Sequence, residues 1–197
     1  MLGALNSIIF PDAVLPLTEI ANRKKVLILK EDDERSKIKK LTILDVPETS
    51  FAFTLDYKTG KNDKKAPCFK QLSSYFHPEN GDGINKGCDL VLFTQFRGCW
   101  YVLLLDMKSD RPNKMETERQ LQNSTLFVQY ICSLVKAYYF DIESLALVYQ
   151  KTFTTTNVRK NGVYQARRPV PTEYLSVSID VNDHREASIH LGKLLGL

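Results

Sequence analysis

Apolar residues in this chain fall into short blocks separated by polar segments. Residues 26–29 and 41–44 are two apolar runs, and the charged segment between them predicts a turn joining a pair of strands. Residues 51–57 alternate more weakly and predict a further strand. Residues 68–76 predict a short helix, and residues 77–87, rich in Pro, Asn, Asp and Gly, predict an irregular segment.

The clearest pattern lies in the middle of the chain. Residues 90–96 and 99–105 are apolar runs on either side of Arg97 and Gly98, which predicts a β-hairpin. A long helix follows, because Asn113 can cap its start and Glu116 stands three residues later. Apolar residues then recur at helical spacing at Leu121, Phe127, Val128, Ile131, Leu134, Val135 and Tyr138.

The C-terminal part contains shorter patterns. Residues 144–150 predict a buried strand, and residues 152–168 predict a polar hairpin around Lys160, Asn161 and Gly162. Residues 174–179 predict a last strand and residues 185–195 a short terminal helix. The order strand, strand, long helix, strand is typical of an α/β domain.

Length and composition fit this interpretation and add little to it. A chain of 197 residues suits one domain, which we expect to span residues 1–197. Within it we expect N-terminal strands in residues 23–57, a core motif in residues 87–150, and a C-terminal basic hairpin and tail in residues 151–197. Hydrophobic residues make up 43% and charged residues 25% of the chain, as in ordinary globular proteins.

Several kinds of protein are disfavoured by what the sequence lacks. No apolar run approaches the roughly 18 residues that cross a bilayer, and the N-terminus has no basic signal-peptide start, so we expect no membrane partner. The four cysteines form no C-x-x-C pair and lie far from the histidines, which argues against zinc. Free thiols in a reducing cytoplasm are the expectation. The sequence also has no P-loop or dinucleotide fingerprint.

Basic residues are concentrated in two stretches, although the net charge is only +4. On charge alone, each is best interpreted as a solvated loop or hairpin, and an anionic partner is the alternative. The N-terminal stretch contains Arg23, Lys24, Lys25, Lys30, Arg35, Lys37, Lys39 and Lys40, diluted by nearby acids, and the C-terminal stretch contains Arg159, Lys160, Arg167 and Arg168.

The predicted hairpin brings two acidic residues together. With Arg97 and Gly98 as the turn, Phe96 faces Cys99, and stepping outward along both strands places Asp89 opposite Asp106. Lys108, two residues beyond Asp106, points to the same face while the strand continues. Two adjacent carboxylates repel each other unless a cation lies between them. A sheet-edge ion pair between Lys108 and Asp106 is one resolution.

A divalent metal is the other resolution. Mg²⁺ typically takes one or two carboxylates and keeps water and substrate phosphate in its remaining positions. A lysine beside it can orient or help deprotonate the attacking water and can compensate charge in the transition state. With such a metal, Asp89, Asp106 and Lys108 would supply a nucleophile, a Lewis acid and charge compensation for attack on a phosphate.

At these residues the chain resembles the PD-(D/E)XK nuclease superfamily. Asp89 opens one strand, and the triplet Asp106, Met107, Lys108 ends the next. The resemblance implies a restriction-endonuclease-like α/β fold, in which a mixed sheet is flanked by helices and the core runs helix, three strands, helix, strand. It also implies that Asp89, Asp106 and the Met107 backbone carbonyl bind Mg²⁺ or Mn²⁺, while Lys108 serves the attacking water. Many members carry a further acid, for which Glu48 and Glu79 are the candidates.

The resemblance covers about a third of the chain and departs from the family pattern in places. Cys88 stands where proline is usual, and the family's Q-x-x-x-Y motif is missing from the following helix, although Gln120 could face the site and contact nucleic acid. The C-terminal basic residues could reach the phosphate backbone; these are Arg159, Lys160, Arg167 and Arg168.

The leading hypothesis is a DNA endonuclease. A catalytically inactive module of the same fold that binds nucleic acid or a partner protein, and an RNA endonuclease of related fold, are the alternatives. The resemblance suggests a homodimer, or a subunit of a defence, repair or mobile-element complex.

Overall fold

Two mixed β-sheets pack on either side of a shared apolar cluster. The structure is a computed structural model, and it describes residues 1–20, 24–56, 72–73, 76–77, 80–108, 113–139, 147–156 and 175–197. The elements, in chain order, are α1 (Leu2–Ile8), β1 (Leu17–Ile20), β2 (Lys24–Lys30), β3 (Lys40–Val46), β4 (Phe51–Phe53), β5 (Leu90–Phe96), β6 (Cys99–Lys108), α2 (Lys114–Tyr139), β7 (Leu147–Thr156), β8 (Leu175–Ile179), β9 (Glu186–His190) and α3 (Leu191–Leu194). A single 3-10 turn, Pro11–Ala13, follows α1.

The main sheet has the strand order β4-β5-β6-β7-β8 within the described residues. Strands β4, β5 and β6 are antiparallel neighbours, whereas β7 runs parallel to both β6 and β8. The parallel step from β6 to β7 needs a crossover, and α2 lies between these two strands in the chain. The predicted mixed α/β architecture is therefore confirmed.

The hairpin of β5 and β6 has the predicted register. Phe96 faces Cys99 and Leu90 faces Leu105, with an unbroken ladder between them. Arg97 and Gly98 have φ values of 49° and 82°, as a two-residue turn of the primed type requires. Strand β6 continues past this ladder to Lys108, so it carries the acidic triplet at the end of the hairpin opposite the turn.

The main sheet is buried on both faces, which explains why its central strands read as continuous apolar runs. Leu90 and Leu92 of β5 face one apolar cluster, and Val91 and Phe93 face another. The first cluster also holds side chains from β2, β3, β8, β9 and α3, so the second sheet and α3 cover that face. The other face is covered by α1 and α2.

The second sheet has the order β1-β2-β3-β9 in the described part of the chain. The predicted pair of strands at 26–29 and 41–44 is confirmed by β2 and β3, which are antiparallel. The prediction of a helix over residues 185–195 is wrong for its first half, which is β9, whereas a short helix, α3, follows at Leu191–Leu194. Ala187 and Ile189 are buried whereas Ser188 and His190 are exposed, an alternation of period two that suits a strand beside β3.

Other predicted elements are confirmed with shifted bounds or lie outside the described residues. The strand predicted at 144–150 begins at Leu147 and extends to Thr156, and the strand predicted at 174–179 is β8. Most of the predicted helix 68–76 and the tip of the polar hairpin at 160–162 lie outside the described residues. Among the helices the structure describes, none has both the length and the apolar character that crossing a membrane requires.

Candidate active site

A polar cleft of about 460 Å³ opens where the β5–β6 hairpin ends, away from its turn. The residues that line it come from the β2–β3 connection, the segment after β4, the segment before β5, the end of β6 and the first turns of α2. They are Glu31, Asp56, Asn80, Gly83, Asn85, Lys86, Gly87, Asp89, Asp106, Met107, Lys108, Glu116 and Gln120.

Asp89 and Asp106 meet in this cleft, as the hairpin register predicts. Asp89 immediately precedes β5, and its Oδ2 accepts a 2.7 Å hydrogen bond from the Met107 backbone N–H. The two carboxyl groups lie close enough that each one affects the pKa of the other. Asp106 is buried, with only 1% of its side chain exposed. The hairpin therefore brings the carboxyl that precedes β5 and the carboxyl on β6 together in the cleft.

The pKa values of both carboxyl groups are raised in this arrangement. Burial raises the pKa of Asp89, and the neighbouring charge of Asp106 raises it further. Burial also raises the pKa of Asp106, although the Lys108 ammonium opposes the shift. Without another cation, the raised pKa values favour protonation of the pair.

Lys108 projects from the end of β6 into the same cleft. Its Nζ lies 2.7 Å from Asp106 Oδ2 and donates a 3.0 Å hydrogen bond to Gln120 Oε1. The contact with Asp106 is a close, charge-assisted one, and it lowers the pKa of that carboxyl against the effect of burial. An ammonium group has three donors, so one remains for a ligand oxygen.

Helix α2 holds the segment before β5 by side chain to backbone hydrogen bonds. Gln120 Nε2 donates to the Gly87 carbonyl at 2.6 Å. The Cys88 N–H donates to Ser124 Oγ at 2.9 Å, and Asn123 Nδ2 donates to the Gly83 carbonyl at 2.9 Å. These bonds fix the chain immediately before Asp89, so α2 helps to place the first acid as well as Lys108.

The opposite rim of the cleft carries an ion pair. Lys86 Nζ lies 2.6 Å from Glu116 Oε1, and this lysine keeps the pKa of Glu116 below its usual range. Both side chains are about half exposed. The pair leaves Lys86 within the cleft, although Glu116 balances its charge.

Some of the predicted site residues lie in the cleft, one lies away from it, and others fall outside the described residues. Asp89, Asp106, Met107, Lys108 and Gln120 all line the cleft. Glu48 does not: it is 73% exposed between β3 and β4, and its Oε1 lies 4.0 Å from Lys25 Nζ. Glu79, Arg159, Lys160, Arg167 and Arg168 lie outside the described residues.

Asp56 is an acid of the cleft that the sequence analysis did not assign to the site, because its triplet with Tyr57 and Lys58 has no facing acid in the sequence. Its charge contributes to raising the pKa of both Asp89 and Asp106. The feature that places Asp56 in the cleft is the pairing of β4 with β5, in which Phe53 faces Val91. The chain leaving β4 therefore runs toward the end of the hairpin where Asp89 lies, a consequence that needs the partner of β4 to be known.

The donor set suits a divalent cation that prefers oxygen. Asp106 is a buried carboxylate, and Asp89 lies beside it in the cleft. The Met107 N–H points to Asp89, and in an extended strand the carbonyl of the same residue faces the same side. Within the described residues, no group of three His, Cys, Asp or Glu side chains has a metal-binding arrangement. Two carboxylates are nevertheless a usual protein contribution to a Mg²⁺ site.

Comparisons of this chain with protein-family models, with curated proteins and with solved structures found no match.

Proposed function

We propose that this protein is a metal-dependent nuclease of the PD-(D/E)XK type, and that DNA is its substrate. The observation that carries the proposal is the meeting of Asp89 and Asp106 at the end of the hairpin, with Lys108 Nζ 2.7 Å from Asp106 Oδ2. A sheet-edge ion pair alone would need one carboxylate for one lysine. The second buried carboxyl is costly, and a divalent cation offsets that cost.

The order of elements supports the finer fold that this proposal needs. Helix α1 is followed, after β1 to β3, by the three strands β4, β5 and β6, then by α2 and β7. This is the helix, three strands, helix, strand order of the restriction-endonuclease-like core. The strands β1 to β3 form an insertion in that order, and together with β9 they cover the face of the main sheet opposite α1 and α2.

In this mechanism, Asp89, Asp106 and the Met107 carbonyl would hold the metal. A bound Mg²⁺ or Mn²⁺ would act as a Lewis acid toward the phosphoryl oxygen and lower the pKa of water. Lys108 binds the attacking water or a phosphate oxygen through the donor that Asp106 and Gln120 leave available. Hydrolysis joins the water oxygen to phosphorus and breaks one P–O ester bond, so the departing oxygen takes up a proton.

The test is cleavage of a supercoiled plasmid and of a matched RNA in Mn²⁺, in Mg²⁺ and in excess EDTA. We expect metal-dependent cleavage of the plasmid. Asp106→Asn should lose both Mn²⁺ binding, measured by calorimetry, and cleavage, because a ligand charge is removed. Lys108→Met should bind Mn²⁺ normally but cleave roughly 10²- to 10⁴-fold more slowly, because lysine acts on water and is no ligand.

The control is Glu48→Gln, which alters an exposed acid outside the cleft and should leave both measurements unchanged. Undiminished cleavage in EDTA contradicts the metal mechanism. A folded Lys108→Met protein that no longer binds Mn²⁺ contradicts the division of roles. Binding of Mn²⁺ and DNA without cleavage would favour an inactive binding module, and preference for RNA would favour an RNA endonuclease.

A further inference from the structure

We propose that Gln120 is a positioning residue, whose side-chain amide holds the Lys108 ammonium group at its place beside Asp106. This inference rests on the proposed nuclease function for its consequence in catalysis, but its structural part can be tested without cleavage. It also assigns Gln120 a role within the protein, instead of the contact with nucleic acid that its place in the sequence suggested.

The two ends of the Gln120 amide are used in different contacts. Its Nε2 donates to the Gly87 carbonyl at 2.6 Å, and its Oε1 accepts from Lys108 Nζ at 3.0 Å. An amide turned the other way would place its oxygen against a carbonyl oxygen and its N–H groups against an ammonium. The Gly87 carbonyl therefore fixes which end of Gln120 faces Lys108.

The anchor of this contact is rigidly held. Gly87 is buried, and an added Cβ there would lie 2.5 Å from Leu55 Cβ, so the backbone has little room to move. The next residue, Cys88, donates its N–H to Ser124 Oγ, and the Ser124 hydroxyl donates to the Gln120 carbonyl at 2.7 Å. The side chain of Gln120 is thus linked to Gly87, and its backbone is linked through Ser124 to Cys88.

Lys108 needs such a second contact to be placed. Its side chain has four rotatable bonds, and a quarter of it is exposed to solvent. The ion pair with Asp106 fixes the distance of Nζ from one oxygen but leaves its direction open. With Gln120 Oε1 as a second partner, Nζ is held between two points, and its remaining donor has a defined direction into the cleft.

The two possible roles of Gln120 predict different kinetics. A residue that positions Lys108 affects the chemical step, so its loss should lower kcat and leave KM nearly unchanged. A residue that contacts nucleic acid equally in ground and transition states affects mainly KM. A misplacement of a reacting group by about 1 Å costs up to roughly 10²-fold in rate, which sets the size of the expected effect.

The experiment compares Gln120→Met with Gln122→Met. Methionine keeps the length of glutamine but neither accepts nor donates as an amide does. Gln122 lies two residues away on the same helix, is exposed, and accepts from Lys151 Nζ at 3.4 Å, so it is a matched control. Gln120→Asn is the second variant if Gln120→Met does not fold, because its amide is one methylene too short to reach both partners.

The first readout is the order parameter of Lys108 Nζ, from ¹⁵N relaxation of the ammonium groups in metal-free protein. We expect it to fall in Gln120→Met and to equal the wild-type value in Gln122→Met. The second readout is cleavage, in which Gln120→Met should lower kcat roughly 10- to 100-fold without a matching change in KM or Mn²⁺ affinity.

An unchanged order parameter for Lys108 in the Gln120 variant would overturn the proposal, and so would a change confined to KM. If wild-type protein cleaves nothing, the proposed function fails. The relaxation measurement then still decides whether Gln120 holds Lys108.

Discussion

At the scale of single residues, the cleft brings together groups that destabilise one another. Asp89 and Asp106 line the same cleft, and the pKa of each is raised chiefly by burial. Asp56 adds a further negative charge nearby. Such groups are retained where function needs them, since an apolar or neutral pair of similar shape would be more stable.

Neutralising one carboxyl should therefore stabilise the metal-free protein. The pKa of Asp89 is raised in the folded state, so the folded protein binds more protons than the unfolded chain and loses stability as pH rises from about 4 through that raised pKa. We expect Asp89→Asn to reduce this loss and to raise the free energy of unfolding at pH 8 by about 1 to 3 kcal/mol. Denaturant unfolding at pH 5 and pH 8 measures both effects.

The control for this prediction is Asp183→Asn, which changes an exposed carboxyl in a turn outside the cleft and should leave the pH dependence as in wild type. At pH 8, Mg²⁺ should stabilise wild type but not Asp89→Asn. Equal stability of wild type and Asp89→Asn at both pH values would show that the carboxyl pair imposes no cost.

At the scale of elements, the site depends on a junction between three parts of the chain. The segment 83–88 passes between the residues that follow β4 and the first turns of α2, and it delivers Asp89 to β5. Gly87 is tightly packed within this junction. A side chain there would meet Leu55 Cβ at 2.5 Å and Leu72 Cδ2 at 2.8 Å.

Gly87→Ala should therefore destabilise the protein and displace the carbonyl that orients Gln120. We expect a loss of about 1 to 3 kcal/mol in the free energy of unfolding, because the backbone of this segment or Leu55 must move. Gly81→Ala is the control, since an added Cβ at that position meets nothing within 4 Å. Chemical denaturation of both variants tests the prediction, and equal stabilities would contradict it.

The sequence predicted those parts of the site that depend on local pairing. A two-residue turn at Arg97 and Gly98 sets the register of the whole hairpin, so the meeting of Asp89 with Asp106 followed from counting. The contacts of Gln120 depend on how α2 packs against the segment before β5, which no local pattern encodes. Strand β9 was mistaken for a helix because Ala187, Ile189 and Leu191 alternate over too few residues to separate the two periods.

At the scale of the whole molecule, charge is distributed unevenly. Among the described residues that line the cleft, Glu31, Asp56, Asp89, Asp106 and Glu116 are acidic, and Lys86 and Lys108 are basic. The chain nevertheless carries a net charge of +4. A cleft of this composition repels phosphate on its own, so the proposed nuclease function requires that a metal and basic residues elsewhere attract the nucleic acid.

The C-terminal basic residues are our candidates for this attraction. Replacing Arg159 and Lys160 together by alanine should weaken DNA binding similarly for all sequences and lower the salt slope of affinity by roughly one unit per lost phosphate contact. The control is the pair Arg35→Ala and Lys40→Ala, because these residues form ion pairs with Asp33 and Glu186. Filter binding across a salt series measures both slopes, and an identical slope in wild type and the Arg159 and Lys160 variant would show that these residues are solvated loop.

The turn of the β5–β6 hairpin offers a point of attachment that is remote from the cleft. Seven paired residues of β5, at about 3.3 Å each, separate Arg97 from Asp89 by roughly 20 Å or more. Cys99 follows this turn and carries an exposed thiol, whereas Cys88 is buried. A fluorophore or a surface tether placed on Cys99 therefore sits at the far end of the hairpin, where it can be used to test the proposed binding of nucleic acid without obstructing the cleft.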